Sequence, residues 1–147
     1  MKKWVDYIWV WCGAFILNEN NELFLMRRNI NCNNKAWYRS IPWGGVEYWE
    51  TLEESVIRET SEEFWINIKV IKQLWVMSDI IPEENQHRIS AEFLCEIISW
   101  EIINLEPHKC DGMWWFSLEN LPDKMSNPTI YWVKVLKELL KNNHETI

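Results

Sequence analysis

Gly44-Gly45-Val46-Glu47-Tyr48-Trp49-Glu50 and, seven residues further on, Arg58-Glu59-Thr60-Ser61-Glu62-Glu63 form the stretch that decides the fold of this chain. Residues 51 to 64 are predicted to be a helix. Thr51 is placed to cap it, and Glu53 and Glu54 fall in the first turn, where negative charge suits the helix dipole. Leu52, Val56, Ile57 and Phe64 make a broken apolar stripe. Glu59, Glu62 and Glu63 are spaced i, i+3, i+4, so they share one side of the last turns, where the dipole disfavours anions. Each like-charge pair costs roughly 0.2–0.5 kcal/mol in solvent, and more when partly buried. Arg58 can pair with Glu54 or Glu50 and offsets only part of this. Two readings follow from the spacing: a solvated acidic face, or a site for a hard divalent cation such as Mg²⁺ or Mn²⁺, which prefers oxygen ligands.

The preceding loop favours the second reading. Pro42 stiffens the approach, and Gly44 and Gly45 permit either a positive φ or a close backbone approach. Their N–H groups could face phosphate oxygens. Taken alone, a glycine pair is also what an ordinary turn between strands contains.

Together, loop and helix resemble the signature of the Nudix hydrolases, G-x5-E-x7-R-E-U-x-E-E-x-G-U with U apolar. Gly44, Glu50, Arg58, Glu59, Glu62 and Glu63 match at the required spacings, Ile66 fills the final apolar slot, and Thr60 is a poor match for the first. The resemblance extends over roughly residues 5 to 140. It implies an α/β fold, an α-β-α sandwich with a mixed β-sheet between helices. It also implies Mg²⁺ (Mn²⁺ as the alternative) held by Glu59, Glu62 and Glu63. Glu59 or Glu62 would serve as the base, and Glu50 and Arg58 would orient the helix. Substrate contacts are expected from Arg27, Arg28, Gly44, Gly45, Glu47 and His87. Glu106 and Asp111 are candidates for a fourth carboxylate, with His108 in the slot many relatives fill with an acid; Lys109 is expected to make a local salt bridge, with steadying a phosphate as the alternative. Trp115 and Phe116 fit either a base pocket or the core. The second half, from Asn85-Gln86-His87-Arg88 to Asn104 through Pro122, is similar to the MutT-like branch. The reaction implied is hydrolysis of a nucleoside diphosphate linked to a group X. A nucleoside triphosphate going to monophosphate and pyrophosphate is the first expectation. A pyrophosphatase for ADP-ribose or a sugar nucleotide is the alternative, and a non-catalytic nucleotide-binding or interaction domain is the third.

Departures from the signature share one direction. Trp43, Trp49 and Trp65 stand where the family usually has Gly, and Trp9, Trp11, Trp37, Trp75, Trp100 and Trp114 invite the same suspicion. The chain holds 12 Trp and only 4 Gly, against a glycine average of about 7%. Trp takes a positive φ only at a cost, whereas Gly takes it freely. A gene whose TGA codons specify glycine, decoded as if they specified tryptophan, would give this pattern. A Trp-rich, diverged protein with a damaged site is the rival explanation.

The length suits a single domain, residues 1–147. A hydrophobic content of 48% supports a substantial core, and a net charge of −7 argues against stable nucleic-acid binding while allowing a free nucleotide substrate. Cys12, Cys32, Cys95 and Cys110 lack paired metal spacing and read as reduced thiols in a cytoplasmic protein. No run reaches 18 apolar residues, so no membrane span is expected, and Asp6 interrupts any signal-peptide core. A homodimer is plausible by family analogy.

The coarse order of elements is a strand over 5–17, a turn at Asn18–Asn21, a strand over Glu22–Arg28, a loop from Asn29 to Lys35, and the signature loop and helix. Strands over Ile66–Met77 and Ile89–Ile98 follow, linked through Ile81 to Glu84. A short strand over Met113–Phe116, a helical turn over Ser117–Leu121 and a helix over Pro128–Leu140 complete the chain. The last helix turns Ile130, Val133, Leu136, Leu139 and Leu140 to the core.

Overall fold

The computed structural model describes residues 7–32, 36–99 and 101–144. Trp4, Trp100 and the first two positions of the strand expected over 5–17 lie outside them. The elements run β1 (Trp9–Leu17), β2 (Glu22–Arg28), β3 (Arg39–Ser40), β4 (Trp43–Gly45), α1 (Leu52–Phe64), β5 (Ile68–Ile81), β6 (Gln86–Ile97), β7 (Cys110–Ser117) and α2 (Asn127–His144). A single 3-10 turn, Pro82–Glu84, joins β5 to β6.

The strands form one mixed sheet in the order β3-β2-β1-β6-β5, with β7 added to β2 and β4 to β1. β1 and β6 run parallel from Trp9↔Arg88 to Leu17↔Glu96, while β5 and β6 are antiparallel. β1 meets β2 at Leu17↔Leu23, and its other end pairs with β4 from Trp11↔Gly45 to Gly13↔Trp43. The strands around β1 therefore splay apart, and β4 enters the gap carrying the signature glycines.

Period-two alternation divides the core into two layers. Ala14, Ile16, Phe24 and Met26 face α1 and pack with Val56, Phe64, Ile66 and Phe93. The intervening Phe15, Leu17, Leu23 and Leu25 face α2 and pack with Ile41, Val133 and Leu136. One helix on each side of a mixed sheet is the α-β-α sandwich that the sequence predicts. Among the described residues no helix is long and apolar enough to cross a membrane.

α1 begins as the sequence requires. Thr51 Oγ1 accepts from Glu54 N at 3.2 Å and Glu54 Oε2 accepts from Thr51 N at 2.7 Å, a reciprocal capping box. Thr60 settles into its buried site because its hydroxyl donates back to the carbonyls of Val56 and Ile57, at 2.9 and 3.0 Å. Several expected boundaries move. Part of the glycine loop is strand, because β4 finds ladder partners on β1 that local sequence does not reveal. β5 runs to Ile81 and β6 starts at Gln86, since the two pair almost to the Pro82 turn. β7 is longer than expected, and residues 118–120 form an irregular turn rather than a helical one. Cys12 and Cys95 are free and buried, and burial pushes both thiols up to about 12, so they are inert.

Candidate active site

α1 lies against β4 so closely that a Cβ on Gly44 would overlap the side chain of Glu59. The glycine is needed for this approach rather than for its φ: no described glycine has a positive φ. Arg58 fastens loop to helix. Its Nε and Nη2 donate to the two oxygens of Glu50 at 3.0 and 2.7 Å, and Nη2 also donates to the Gly45 carbonyl at 3.0 Å. Its Nη1 donates to Glu59 at 2.9 Å and Glu62 at 3.1 Å. The bidentate Arg58 contact holds the Glu50 carboxyl down to about 2, helped by the N–H of Glu47 at 2.7 Å. Glu50 is thus consumed in positioning.

Further along α1 the balance reverses. Glu63 is only 9% exposed, and its Oε2 is buried with no hydrogen-bond partner among the described residues. Burial, then the charges of Glu106 and Glu59, push its carboxyl up to about 8. Burial also raises Glu59, against the pull of Arg58. Both line a cleft of about 840 Å³ whose other walls include Gly44, Gly45, Arg28, Lys109 and His108. Next to it lies a cavity of about 160 Å³; Trp11, Arg28 and Trp43 border both.

The predicted site residues do not all converge. Glu62 is largely exposed and turned to Arg58, so it does not line the cleft beside Glu59 and Glu63. Among the described residues no group of three or more His, Cys, Asp or Glu side chains is placed to hold a metal. Glu59 and Glu63 nevertheless fit a hard cation by their chemistry: one partly buried and one buried carboxylate, both raised, the buried one with an orphaned oxygen. Arg28 lines the cleft, but Arg27 is held elsewhere by Asp111 at 2.7 Å and sits over the rings of Trp37 and Trp114. Asp111 is thereby paired, and Glu106 accepts from Lys109 Nζ at 2.8 and 2.9 Å. The Glu47 side chain is exposed at the rim, 4.0 Å from Arg58. His87 lines neither cleft nor cavity, because strand alternation sends its neighbours Gln86 and Arg88 to that side instead. Trp115 packs edge-on to Phe24 in the core.

Ser40, Arg88 and Glu92 in the smaller cavity were not singled out from sequence. Glu92 carried a signal: an acid between Ala91 and Phe93, both fully buried on β6.

Trp37, Trp49 and Trp65 all have a left-handed φ, of 69°, 69° and 57°. This conformation costs a non-glycine L-residue roughly 1–2 kcal/mol. Trp65 is the C-cap of α1, its N–H bonded to Ser61 O at 3.0 Å, the place where helices favour glycine. Trp49 is 98% exposed, so no burial offsets its strain. Trp43 differs: it is in β4 and stacks on Trp11 at 4.0 Å.

A sheet splayed around a glycine-bearing strand, with a carboxylate-rich helix laid over it, defines a class of phosphohydrolase. The model of the NUDIX domain matches residues 10–136, and the chain belongs to the Nudix hydrolase family. It is 33% identical over 107 residues to an ADP-ribose pyrophosphatase of Methanocaldococcus jannaschii, covering 73% of this chain and 61% of that protein. It is 29% identical over 111 residues to the NAD-capped RNA hydrolase NudC of Pectobacterium carotovorum, covering 76% of this chain and 40% of that protein. The chain thus spans about half the length of these curated relatives. Among solved structures, a MutT NUDIX hydrolase from Burkholderia pseudomallei superposes with a TM-score of 0.78 at 26% identity, covering 87% of this chain and 97% of that one.

Proposed function

We propose that the protein is a nucleoside diphosphate-X pyrophosphatase of the ADP-ribose type. The triphosphate reading expected first from the sequence becomes the competitor. The observation that carries the proposal is the similarity to an ADP-ribose pyrophosphatase over most of this chain. The paired compartments agree with it: a wide cleft with the carboxylates, and a smaller cavity beside it, give separate places for the two ends of a substrate bridged by a diphosphate.

In the proposed reaction water attacks one phosphorus of the diphosphate, the bridging P–O bond breaks, and the other phosphate leaves with its half of the substrate. Glu59 and Glu63 would hold Mg²⁺ or Mn²⁺, which when bound supplies charge neutralisation at the phosphoryl oxygens and an acidified water. Arg28 and Lys109 place positive charge on the cleft wall, where the diphosphate needs it. Arg58 and Glu50 position α1 against β4 and so fix the direction of Glu59. Glu59, which Arg58 holds on the cleft wall, is the residue we assign to accept the proton of the attacking water.

The test is turnover with Mg²⁺ across ADP-ribose, NADH, a GDP-sugar and the common nucleoside triphosphates, with products separated by chromatography. AMP and ribose 5-phosphate from ADP-ribose at the highest kcat/KM is the expected result. Pyrophosphate release from a triphosphate at a higher kcat/KM would restore the triphosphate reading.

A further inference from the structure

β5 is an outer strand of the sheet. Among the described residues it pairs only with β6, so the backbone N–H and C=O groups along its other edge meet no strand. It runs for 14 residues, where a typical strand has about 5–6. A bare edge of that length is a template for a further strand, and proteins blunt such edges with lysines, bulges and prolines.

β5 is blunted over its first half alone. Lys69 and Lys72 are exposed there, and the ladder with β6 shifts register between Val70 and Lys72 and again between Gln73 and Trp75. Beyond that point the pairing is regular, from Trp75↔Glu92 to Ile81↔Gln86. The regular stretch contains no lysine, arginine or proline. Its one charged side chain, Asp79, is engaged within its own chain, accepting from Arg88 Nε and Ser90 Oγ, each at 3.0 Å. Pro82 then ends the strand.

Alternation puts Val76, Ser78 and Ile80 on one face of this stretch. All three are exposed, Val76 at 49% and Ile80 at 65%. The row reads the same in both directions: a β-branched apolar residue, a serine, a β-branched apolar residue. A second copy laid antiparallel about a two-fold axis at Ser78 sets Val76 against Ile80 twice and Ser78 against itself. Cross-strand pairs of that kind stabilise a ladder. In the same register the ladder stops where the bulge of one copy meets Pro82 of the other. Just beyond, at each end, Lys72 of one copy comes toward Glu84 of the other, and both are exposed.

We propose that β5 pairs antiparallel with β5 of a second copy over Trp75–Ile81, joining two sheets into one and making the protein an isologous homodimer. Family analogy leaves the surface of any homodimer open; the pattern of guarded and unguarded edge assigns it here, whatever the substrate.

Sedimentation equilibrium of the full chain over a wide concentration range reads the assembly. Wild type should approach twice the protomer mass as concentration rises. Val76→Lys with Ile80→Lys puts like charges across both outer pairs and should weaken association about tenfold or more. Val76→Glu with Ile80→Lys puts opposite charges across the same pairs and should recover most of that loss. The replaced side chains are exposed, so the circular dichroism and melting of the protomers should match wild type. Ser78→Cys should be joined to a second copy by a short thiol-to-thiol cross-linker, well beyond the wild-type level, because opposed Cα atoms in an antiparallel pair lie about 4.5–5.5 Å apart. A monomer at every concentration would leave the edge to some other strand and overturn the proposal. A dimer that the like-charge variant leaves intact, or one weakened equally by like and opposite charges, would overturn it too. So would the absence of the Ser78→Cys cross-link, a reading that stands apart from the folding of the charge variants.

Discussion

The two halves of the loop–helix unit over residues 44–64 treat their carboxylates in opposite ways. Near the loop, Glu50 is ionised, hydrogen-bonded and fully spent on Arg58. Toward the C-terminus, Glu63 is buried beside Glu59 and Glu106 with an oxygen unmatched. A charge that the protein satisfies itself is structural. A charge left costly in the folded state is held for something that arrives later, here a cation on a phosphorylated substrate. Removing groups from each half should therefore damage different properties.

The largest effect is expected at the costly end. Glu63→Gln should lower kcat/KM on the order of 10²–10⁴-fold, with Glu59→Gln close behind. The same Glu63→Gln change should leave the metal-free protein as stable as wild type or more so, read by thermal melting, because it removes a carboxyl that folding disfavours. Full turnover in both variants would remove the site from this cleft.

Arg58→Ala should do the reverse, destabilising the fold first. With four carboxylates within reach and one-fifth of its side chain exposed, the loss should be about 2–4 kcal/mol in urea unfolding. A melt unchanged from wild type would mean that the corner is ornamental.

Acid should separate the halves too. In the folded protein the Glu50 carboxyl is held by Arg58 down to about 2, below its ordinary 4.5. Its contribution to stability is therefore complete above about 4.5 and is lost as pH falls through about 2. Glu63 has the opposite sign: a raised folded pKa costs stability as pH rises from 4.5 toward about 8. In Glu50→Gln the acid limb of a stability–pH curve should flatten, and in Glu63→Gln the alkaline limb should.

The two ends of the helix give a finer comparison. The start is capped, so Thr51→Ala should cost about 1 kcal/mol. The end is strained, so Trp65→Gly should gain about 1 kcal/mol, and Trp49→Gly a similar amount or less once the added freedom of the unfolded chain is counted. A loss of stability on Trp65→Gly would show that the indole has found compensating contacts. Intact-mass measurement on protein from the source organism checks directly whether these positions carry glycine, which is far lighter than tryptophan.

Much of this was legible in sequence for identifiable reasons. The helix 52–64, its cap and its acidic face follow from spacing, since i, i+3 and i+4 share a side in any helix. The suspicion about Trp49 and Trp65 came from composition and register, and both have φ values suited to glycine. Strand β4 was not legible, because its ladder partners lie on β1, some thirty residues away, and three residues carry no periodicity of their own. His87 was placed at the substrate from its position near a strand start, but whether Gln86 or His87 faces the cleft depends on register, and a one-residue difference reverses the face.

By itself, then, the sequence determined the class of fold, the Nudix signature and the residues able to carry charge, because these depend on local spacing along one helix and one loop. Only the tertiary structure decided which charges are consumed and which are left over. It turned Glu62 and Arg27 to partners away from the cleft, kept Glu59 and Glu63 in it, and enclosed Ser40 and Glu92 beside it. Burial and pairing with distant strands set those outcomes, and neither is written in the spacing of neighbours along the chain.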